Sequence, residues 1–480
     1  MNHTITCMIN HQKVTTTEPA GTVTLDFIRQ YQKLSGTKEG CREGECGACS
    51  ILLGELKENH LQYKTVASCL LPLGEIAGKH VVTIEGINLD NSTGTLPLTP
   101  IQQALTDEGA SQCGFCTPGF VIALTGFFLN SPTLSYSDAI DAMDGNICRC
   151  TGYVSIQRAA QKLCDTFARR LEKNQERIPL LVEWQILPEY FLQVPDLLKE
   201  ISRHHHKPHR QGVLIAGATD LYVQRPEELR DKELDFISQR AGFNTIEQEG
   251  YQIIVGAGTT VTELKQSPVI HHFLPHLPAY LDLVSSTIMR NRATLAGNIV
   301  NASPIGDISI ILLALQARLH LTNNQNNDNK RLILLKDFFK GYKQMDLLPG
   351  EIIEAISFPI PESGMLFHYE KVSQRKYLDI ASCNSAISLN TDGTMIHDIH
   401  LSAGGVAPIP LYLTATRTFL LGKNITAPRL REALRVLAGE IAPISDVRGS
   451  AQYKKRLLGQ LFLAHFITLC PQLNLAEELL

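Results

Sequence analysis

The run Cys41-Arg-Glu-Gly-Glu-Cys46-Gly-Ala-Cys49, followed at a distance by Cys69, has the C-x4-C-x2-C…C spacing that holds a plant-type [2Fe–2S] cluster. Three thiolates wrap one side of a compact, negatively charged centre, and a fourth arrives from a separate segment. Between them the backbone must turn tightly and aim N–H groups at sulfur. Gly40, Gly44 and Gly47 are expected to supply that freedom, since glycine adopts positive φ without steric cost. A structural zinc site is a poor match, because zinc favours paired knuckles with C-x2-4-C on both sides.

A second quartet follows as Cys113-Gly-Phe-Cys116 and Cys148-Arg-Cys150. In extended chain residues i and i+2 point the same way, so a C-x-C loop presents both sulfurs to one centre. Cys113 and Cys116 sit at the start of a helix, where backbone N–H groups are free to face sulfur. This spacing is not a common ferredoxin one, and on spacing alone both zinc and iron remain open. The other four cysteines, Cys7, Cys164, Cys383 and Cys470, read as small buried hydrophobes.

The elements that must position these residues follow from periodicity and caps. Ile5, Cys7 and Ile9 alternate as a strand, and further strands are expected near Gln12–Thr17, Ser50–Leu53, Tyr63–Cys69 and His80–Ile84. Thr24 is expected to cap a short helix with Leu25 and Ile28 inward. Several short strands on one helix suggest an α+β sheet of the β-grasp type. Beyond it, Thr99-Pro100 and Thr117-Pro118 each read as a Thr cap with Pro opening a helix. A third helix covers Ser137–Met143. A fourth covers Ile156–Leu171, with Ile156, Ala159, Ala160, Leu163 and Phe167 at helical spacing. Residues 174–211, with Pro179, Pro188, Pro195 and the run His204-His205-His206, read as a linker with a solvated histidine loop. Val213-Leu-Ile-Ala-Gly-Ala-Thr-Asp-Leu221 reads as strand, turn and element, a weak phosphate-approach signal by itself. Gly256-Ala-Gly258 lacks the third glycine and the acidic residue of a dinucleotide fingerprint and reads as a strand-end turn.

The order and separation of Cys41–Cys49, Gln112-Cys-Gly-Phe-Cys-Thr-Pro-Gly and Cys148-Arg-Cys-Thr-Gly-Tyr resemble the two-cluster module of the xanthine oxidase and aldehyde oxidase family. The resemblance resumes at Gly217-Ala-Thr-Asp, at Arg290–Asp307, at Lys371–Ala381, at Gly404-Gly-Val-Ala-Pro and at Ile444–Tyr453, so it runs over nearly the whole chain. It implies a multidomain α+β protein. The parts are a β-grasp plant-type ferredoxin domain (1–90) and a four-helix [2Fe–2S] domain (91–173). After the linker come a two-subdomain α+β FAD-binding domain of the p-cresol methylhydroxylase type (212–362) and a C-terminal α+β flavoprotein domain (363–480). It implies two [2Fe–2S] clusters, on Cys41, Cys46, Cys49 and Cys69 and on Cys113, Cys116, Cys148 and Cys150. Gln112 and Cys150 would face a molybdopterin.

The same resemblance implies that Ile215, Ala216, Gly217, Ala218, Thr219, Asp220 and Leu221 cradle the FAD pyrophosphate, with Thr294, Gly297 and Asn298. Asp307 would bind the adenosine end or order its loop. Asp379, Ile380 and Ser382 would line the flavin. Two departures stand out: Ala296 where the family usually has glycine, whose methyl is expected to crowd the loop, and Ala218 as a smaller variation. Asp446 and Arg448 read as structural, pairing or capping a helix.

The function implied is electron transfer in a molybdenum hydroxylase of the xanthine dehydrogenase kind. Electrons would pass from a molybdenum centre through two clusters to FAD, then to NAD⁺ or O₂. The expected partner is a molybdopterin-binding large subunit, in a heterotetramer of two small and two large subunits. Two other classes are compatible with the residues: a stand-alone NADH diaphorase, and a redox sensor or zinc-stabilised scaffold without turnover. The net charge of −4 gives no push toward nucleic acid. The N-terminus lacks a secretory pattern, and Ile308–Leu315 is far shorter than the roughly 20 residues a membrane span needs. A cytoplasmic protein is expected.

Overall fold

The computed structural model describes residues 4–89, 97–172, 175–202, 212–324, 330–362 and 364–479. The chain divides into two compact units. One comprises residues 1–236 with Ser286–Arg292, the other Ile237–Ser285 with Ala293–Leu480.

In the first unit, strands β1 (Ile5–Ile9), β2 (Gln12–Thr16), β3 (Ser50–Lys57), β4 (His60–Ala67) and β5 (His80–Val82) form one sheet in the order β2-β1-β5-β3-β4. Only β1 and β5 run parallel, the mixed pairing of a β-grasp sheet. Alternation puts Ile5, Cys7 and Ile9 into a core with Phe27, Ile28, Ile51 and Val66. The helical segment across this face starts after Val23. Thr24 is its first residue, buried and not a cap, and the segment winds on as a π-helix over Phe27–Tyr31.

Four helices follow: α1 (Pro100–Asp107), α2 (Thr117–Asn130), α3 (Tyr136–Ala142) and α4 (Val154–Phe167). Thr99 caps α1 in a reciprocal box with Gln102. For α2 the cap position is Cys116, not Thr117, which already has helical geometry. Nearly every residue from Gly119 to Phe128 is buried, so α2 is the central helix, apolar on all sides. The expected face of α4 is buried at all five positions. Leu52, Tyr63 and Val82 of the sheet join the helices in one core.

The segment expected to be a linker is instead packed helix among its described residues. Arg177–Glu183 and Val194–Ser202 are helical, and Leu181, Ile186, Leu187 and Phe191 enter the same core. Its three prolines fall at or next to helix starts, where proline costs nothing, so they punctuate helices instead of excluding them. His204–His206 lie outside the described residues. A parallel strand pair, Val213–Ile215 with Leu234–Phe236, completes this unit.

The second unit carries a five-stranded antiparallel sheet in the order Arg331–Leu334, Arg318–Asn323, Glu351–Pro359, Gln252–Gly256, Ile246–Glu249. It also carries a four-stranded antiparallel sheet, Leu366–Val372, Cys383–Thr391, Ile396–Gly404 and Leu411–Tyr412. Gly256 ends its strand, as a strand-end turn requires. The apolar helix Asp307–Ala314 is buried, and Ser388 and Ser402 of the second sheet donate to its Ala314 and Ile310 carbonyls at 2.8 and 2.7 Å. Helices including Ala427–Glu440 and Ala451–Leu469 cover the sheet. No described helix is long and apolar enough to cross a membrane. Cys7, Cys164, Cys383 and Cys470 are all buried, as small hydrophobes should be.

His80 in β5 makes the first unit acid-sensitive. Its Nε2 lies 2.8 Å from the Asn10 carbonyl and its Nδ1 2.7 Å from the Tyr63 hydroxyl. Nε2–H therefore donates and Nδ1 accepts, which is the neutral ring. Burial pushes its pKa down to about 4. Because the folded pKa lies below the unfolded one, this stabilisation is complete above pH 6.5 and is lost as pH falls through 4. A shift of that size is worth about 3 kcal/mol. Unfolding curves between about pH 7 and pH 4 should fall steeply for the wild type and less steeply for His80→Gln; equal slopes would contradict this.

Candidate redox centres

The first cysteine loop lies in the irregular stretch after the helical segment, which ends at Tyr31, and enters β3 at Ser50. Cys41 and Cys46 are half-buried, whereas Cys49 and Cys69 are buried. The four thiols lie near one another, with Cys41 interacting with Cys46, Cys49 with Cys69, and Cys41 also acting on Cys49 and Cys69. Backbone N–H groups of Glu43 and Glu45 each donate to Cys41 Sγ at 3.3 Å. Its contact with Cys46, together with these donors, holds the Cys41 thiol down to about 5 against the opposing cost of burial. Contact with Cys69 likewise holds Cys49 low, while Cys46 and Cys69 are raised by their partners.

The three glycines of this loop do two different jobs. Gly44 and Gly47 adopt φ of +73° and +66°, as expected. Gly40 is not in that region; a Cβ there would stand 2.7 Å from Cys46 Sγ, so its bareness admits the sulfur.

The second quartet also pairs. Cys113 and Cys150 are exposed with sulfurs 3.7 Å apart, and Cys116 meets buried Cys148. Against desolvation, the Thr151 hydroxyl at 3.1 Å and its N–H at 3.5 Å hold Cys148 low. Burial pushes Cys116 up to about 12. Gln112 is exposed beside Cys113. The two loops are tied together: Ile147 N–H donates to the Cys46 carbonyl at 3.0 Å, and Asn146 Nδ2 to the Gly47 carbonyl at 3.1 Å.

Four cysteine thiols gathered in each quartet are the donor set a binuclear iron centre needs, with two cysteines on each iron. The donor sets therefore fit [2Fe–2S].

Cysteine spacing carries no hint of a further feature. Ser286–Arg292 packs within the first unit against both loops. Arg290 pairs with Asp144 at 2.7 Å with their side chains 3% and 0% exposed, and Arg292 pairs with Glu75 at 2.8 Å. Thr287 N–H also donates to Asp144, and Asn291 Nδ2 to the Thr65 carbonyl, at 2.7 and 2.8 Å. Removing one partner of such a buried pair costs about 3–5 kcal/mol. The only hint in the sequence is the unusual placing of two arginines in an otherwise small and polar run.

The flavin candidates fall in both units. In the first, buried Ile215 ends its strand, and Ala216 to Asp220 turn into the short helix Leu221–Gln224. Ala218 takes φ +65°, rare for a non-glycine residue and of the kind that aims successive N–H groups at an anion. The Gly217 and Ala218 carbonyls are taken by Arg292 and by Tyr222 N–H. That backbone fits a phosphate.

In the second unit, Thr294 caps Leu295–Asn301 by accepting from Gly297 N–H at 3.1 Å. Asn298 approaches Ser309 at 3.5 Å. Ala296 does not crowd the loop: it is buried and its methyl packs in the hydrophobic core. Both Asp307 oxygens are occupied, by Tyr369 and Asn384 at 2.6 Å and by Lys371 at 2.8 Å. Of its two expected roles, the structure supports ordering the loop. Tyr369 and Asn384 are not marked in the sequence, because single inward polar residues on strands leave no local pattern. Asp379 accepts from Arg375 and Ile380 N–H groups within its own turn, while Ile380 is exposed. Ser382 donates to the Arg448 carbonyl at 2.9 Å. Asp446 pairs with buried Lys454 at 2.7 Å and accepts from Arg448 N–H, a structural role.

Comparison with known proteins agrees with these centres. Residues 7–73 match the 2Fe-2S iron-sulfur cluster binding domain and 83–161 the [2Fe-2S] binding domain. Residues 188–361 match the FAD binding domain in molybdopterin dehydrogenase, and 368–469 the CO dehydrogenase flavoprotein C-terminal domain. Xanthine dehydrogenase 1 of Arabidopsis thaliana is 27% identical over 95% of this chain and 39% of its own length. Xanthine dehydrogenase/oxidase of Gallus gallus is 25% identical over 94% and 39%. A solved carbon monoxide dehydrogenase from Hydrogenophaga pseudoflava is 27% identical, covering 52% of this chain and 86% of its own, with a TM-score of 0.49. The chain spans about two fifths of the length of these xanthine dehydrogenase relatives.

Gly40→Ala should lower the iron content at the first quartet and leave the second intact. Iron analysis with low-temperature EPR checks this; two undiminished cluster signals would contradict it.

Proposed function

On the premise that this chain belongs to the xanthine oxidase family, whose two iron–sulfur domains, FAD-binding domain and flavoprotein C-terminal domain it carries, we propose that it is the electron-transfer subunit of a xanthine dehydrogenase. The observation that carries this reading is the placing of two cysteine quartets on neighbouring loops joined by the Ile147–Cys46 and Asn146–Gly47 hydrogen bonds. When bound, the clusters supply one-electron steps and the flavin accepts two electrons for transfer onward.

The residues divide the work. Cys41, Cys46, Cys49 and Cys69 hold the inner cluster, and Cys113, Cys116, Cys148 and Cys150 the outer one. Exposure of Cys113, Cys150 and Gln112 suits the outer site to receive electrons from a molybdopterin-bearing large subunit. The hydrogen bond from Ile147 to Cys46 keeps the two cysteine loops at a fixed separation. The turn Ala216–Asp220 contributes N–H groups toward the FAD pyrophosphate, and the capped start of Leu295–Asn301 contributes Thr294, Gly297 and Asn298. The Lys371–Asp307–Tyr369 network holds the loop that follows in place. NAD⁺ is the proposed acceptor and xanthine the proposed substrate of the partner, in keeping with the names of relatives that align along this chain. A heterotetramer of two small and two large subunits completes the reading.

Anaerobic xanthine added to the native complex should bleach the iron–sulfur and flavin absorbance before any NAD⁺ is present, and NAD⁺ should restore it. An intact complex that stays oxidised would contradict the purine assignment. Reoxidation by O₂ but not NAD⁺ would contradict the acceptor.

A further inference from the structure

The segment Ser286–Arg292 comes from within the flavin-domain sequence yet is anchored in the iron–sulfur unit by Arg290–Asp144, Arg292–Glu75 and Asn291–Thr65. Immediately before these anchors Met289 packs, partly buried, against the cluster of side chains that contains Cys49, Cys69 and Leu70. Its thioether lies directly on Gly44. A Cβ at residue 44 would stand 2.4 Å from Met289 Sδ and 2.8 Å from a Leu70 methyl. On either side of Gly44 in the loop, the Glu43 and Glu45 N–H groups each donate to Cys41 Sγ at 3.3 Å. A side chain some 245 positions away along the sequence therefore presses on the turn of the first loop whose flanking N–H groups face Cys41.

We propose that Met289 is a positioning residue for the first iron–sulfur centre: by holding the Gly44 turn so that the Glu43 and Glu45 N–H groups face Cys41, it sets that centre's reduction potential. This rests on the reading that Cys41, Cys46, Cys49 and Cys69 are the ligands. An N–H donor to sulfur favours the reduced, more negative form of a cluster and so raises its potential. Gly44, with φ of +73°, has no side chain of its own to fix the peptide plane, so the plane depends on what packs over it. Methionine is also a common filler of irregular gaps. A filler alone would affect stability and leave the potential where it was.

The test uses the full chain with both clusters assembled, titrated potentiometrically with EPR detection of each signal, for the wild type, Met289→Ala and Met289→Leu. Met289→Ala should shift the first centre to a more negative potential and leave the second unmoved, and Met289→Leu, which restores the bulk, should return the potential toward the wild-type value. Loss of the first cluster alone in Met289→Ala would support the same role in stronger form. An unchanged potential with both clusters present, an equal shift of both, or loss of both would overturn it. A wild-type chain that binds no iron would overturn the ligand reading as well, which separates the two failures.

Discussion

On the reading that each cysteine quartet holds a [2Fe–2S] cluster, two thiolates to each metal is the constraint on which the first unit is built. Four sulfurs drawn to one point would need a tight knot of chain, whereas two pairs can be spread along a loop and a neighbouring strand end. That is what the sequence spacing permits: a short run brings Cys41, Cys46 and Cys49 round one side, and β4 delivers Cys69 beside Cys49. The bare α-carbon of Gly40 and the left-handed turns at Gly44 and Gly47 exist to admit sulfur and to point N–H groups inward. The same solution recurs in the helical domain, built from a helix start and a C-x-C loop instead of a sheet.

The two loops are joined directly by hydrogen bonds. Backbone and amide hydrogen bonds from Asn146 and Ile147 reach Gly47 and Cys46, and Ser286–Arg292 braces both sides through buried ion pairs. A buried carboxylate such as Asp144 is expensive unless paired and fully hydrogen-bonded. Arg290 and Thr287 meet that need, which ties the brace to the loop that ends in Cys148. Rigidity here matters because the protein tunes such centres through donors, charge and burial, all of which depend on fixed geometry.

Much of this architecture is legible in the amino-acid sequence. Cysteine spacing, the Thr99-Pro100 helix start and the apolar face of α4 are local patterns, and each takes the expected form in the fold. What the sequence hides is non-local or context-dependent. Pro179, Pro188 and Pro195 suggest a linker, but proline at a helix start is as natural as proline in a loop, and only burial of Leu181 and Phe191 distinguishes them. Thr24 has the chemistry of a cap but is buried one residue inside the helix. The methyl of Ala296 is expected to crowd a loop, yet it faces the core. The pairing of Arg290 with Asp144 spans a sequence separation that no periodicity encodes.

Native mass spectrometry of freshly isolated chain, with parallel metal analysis, addresses the sulfur pairing most directly. Four irons and four acid-labile sulfides per chain, as two [2Fe–2S] units, are the predicted result. One or two zinc ions with no sulfide, bound by the same intact cysteines, would contradict it.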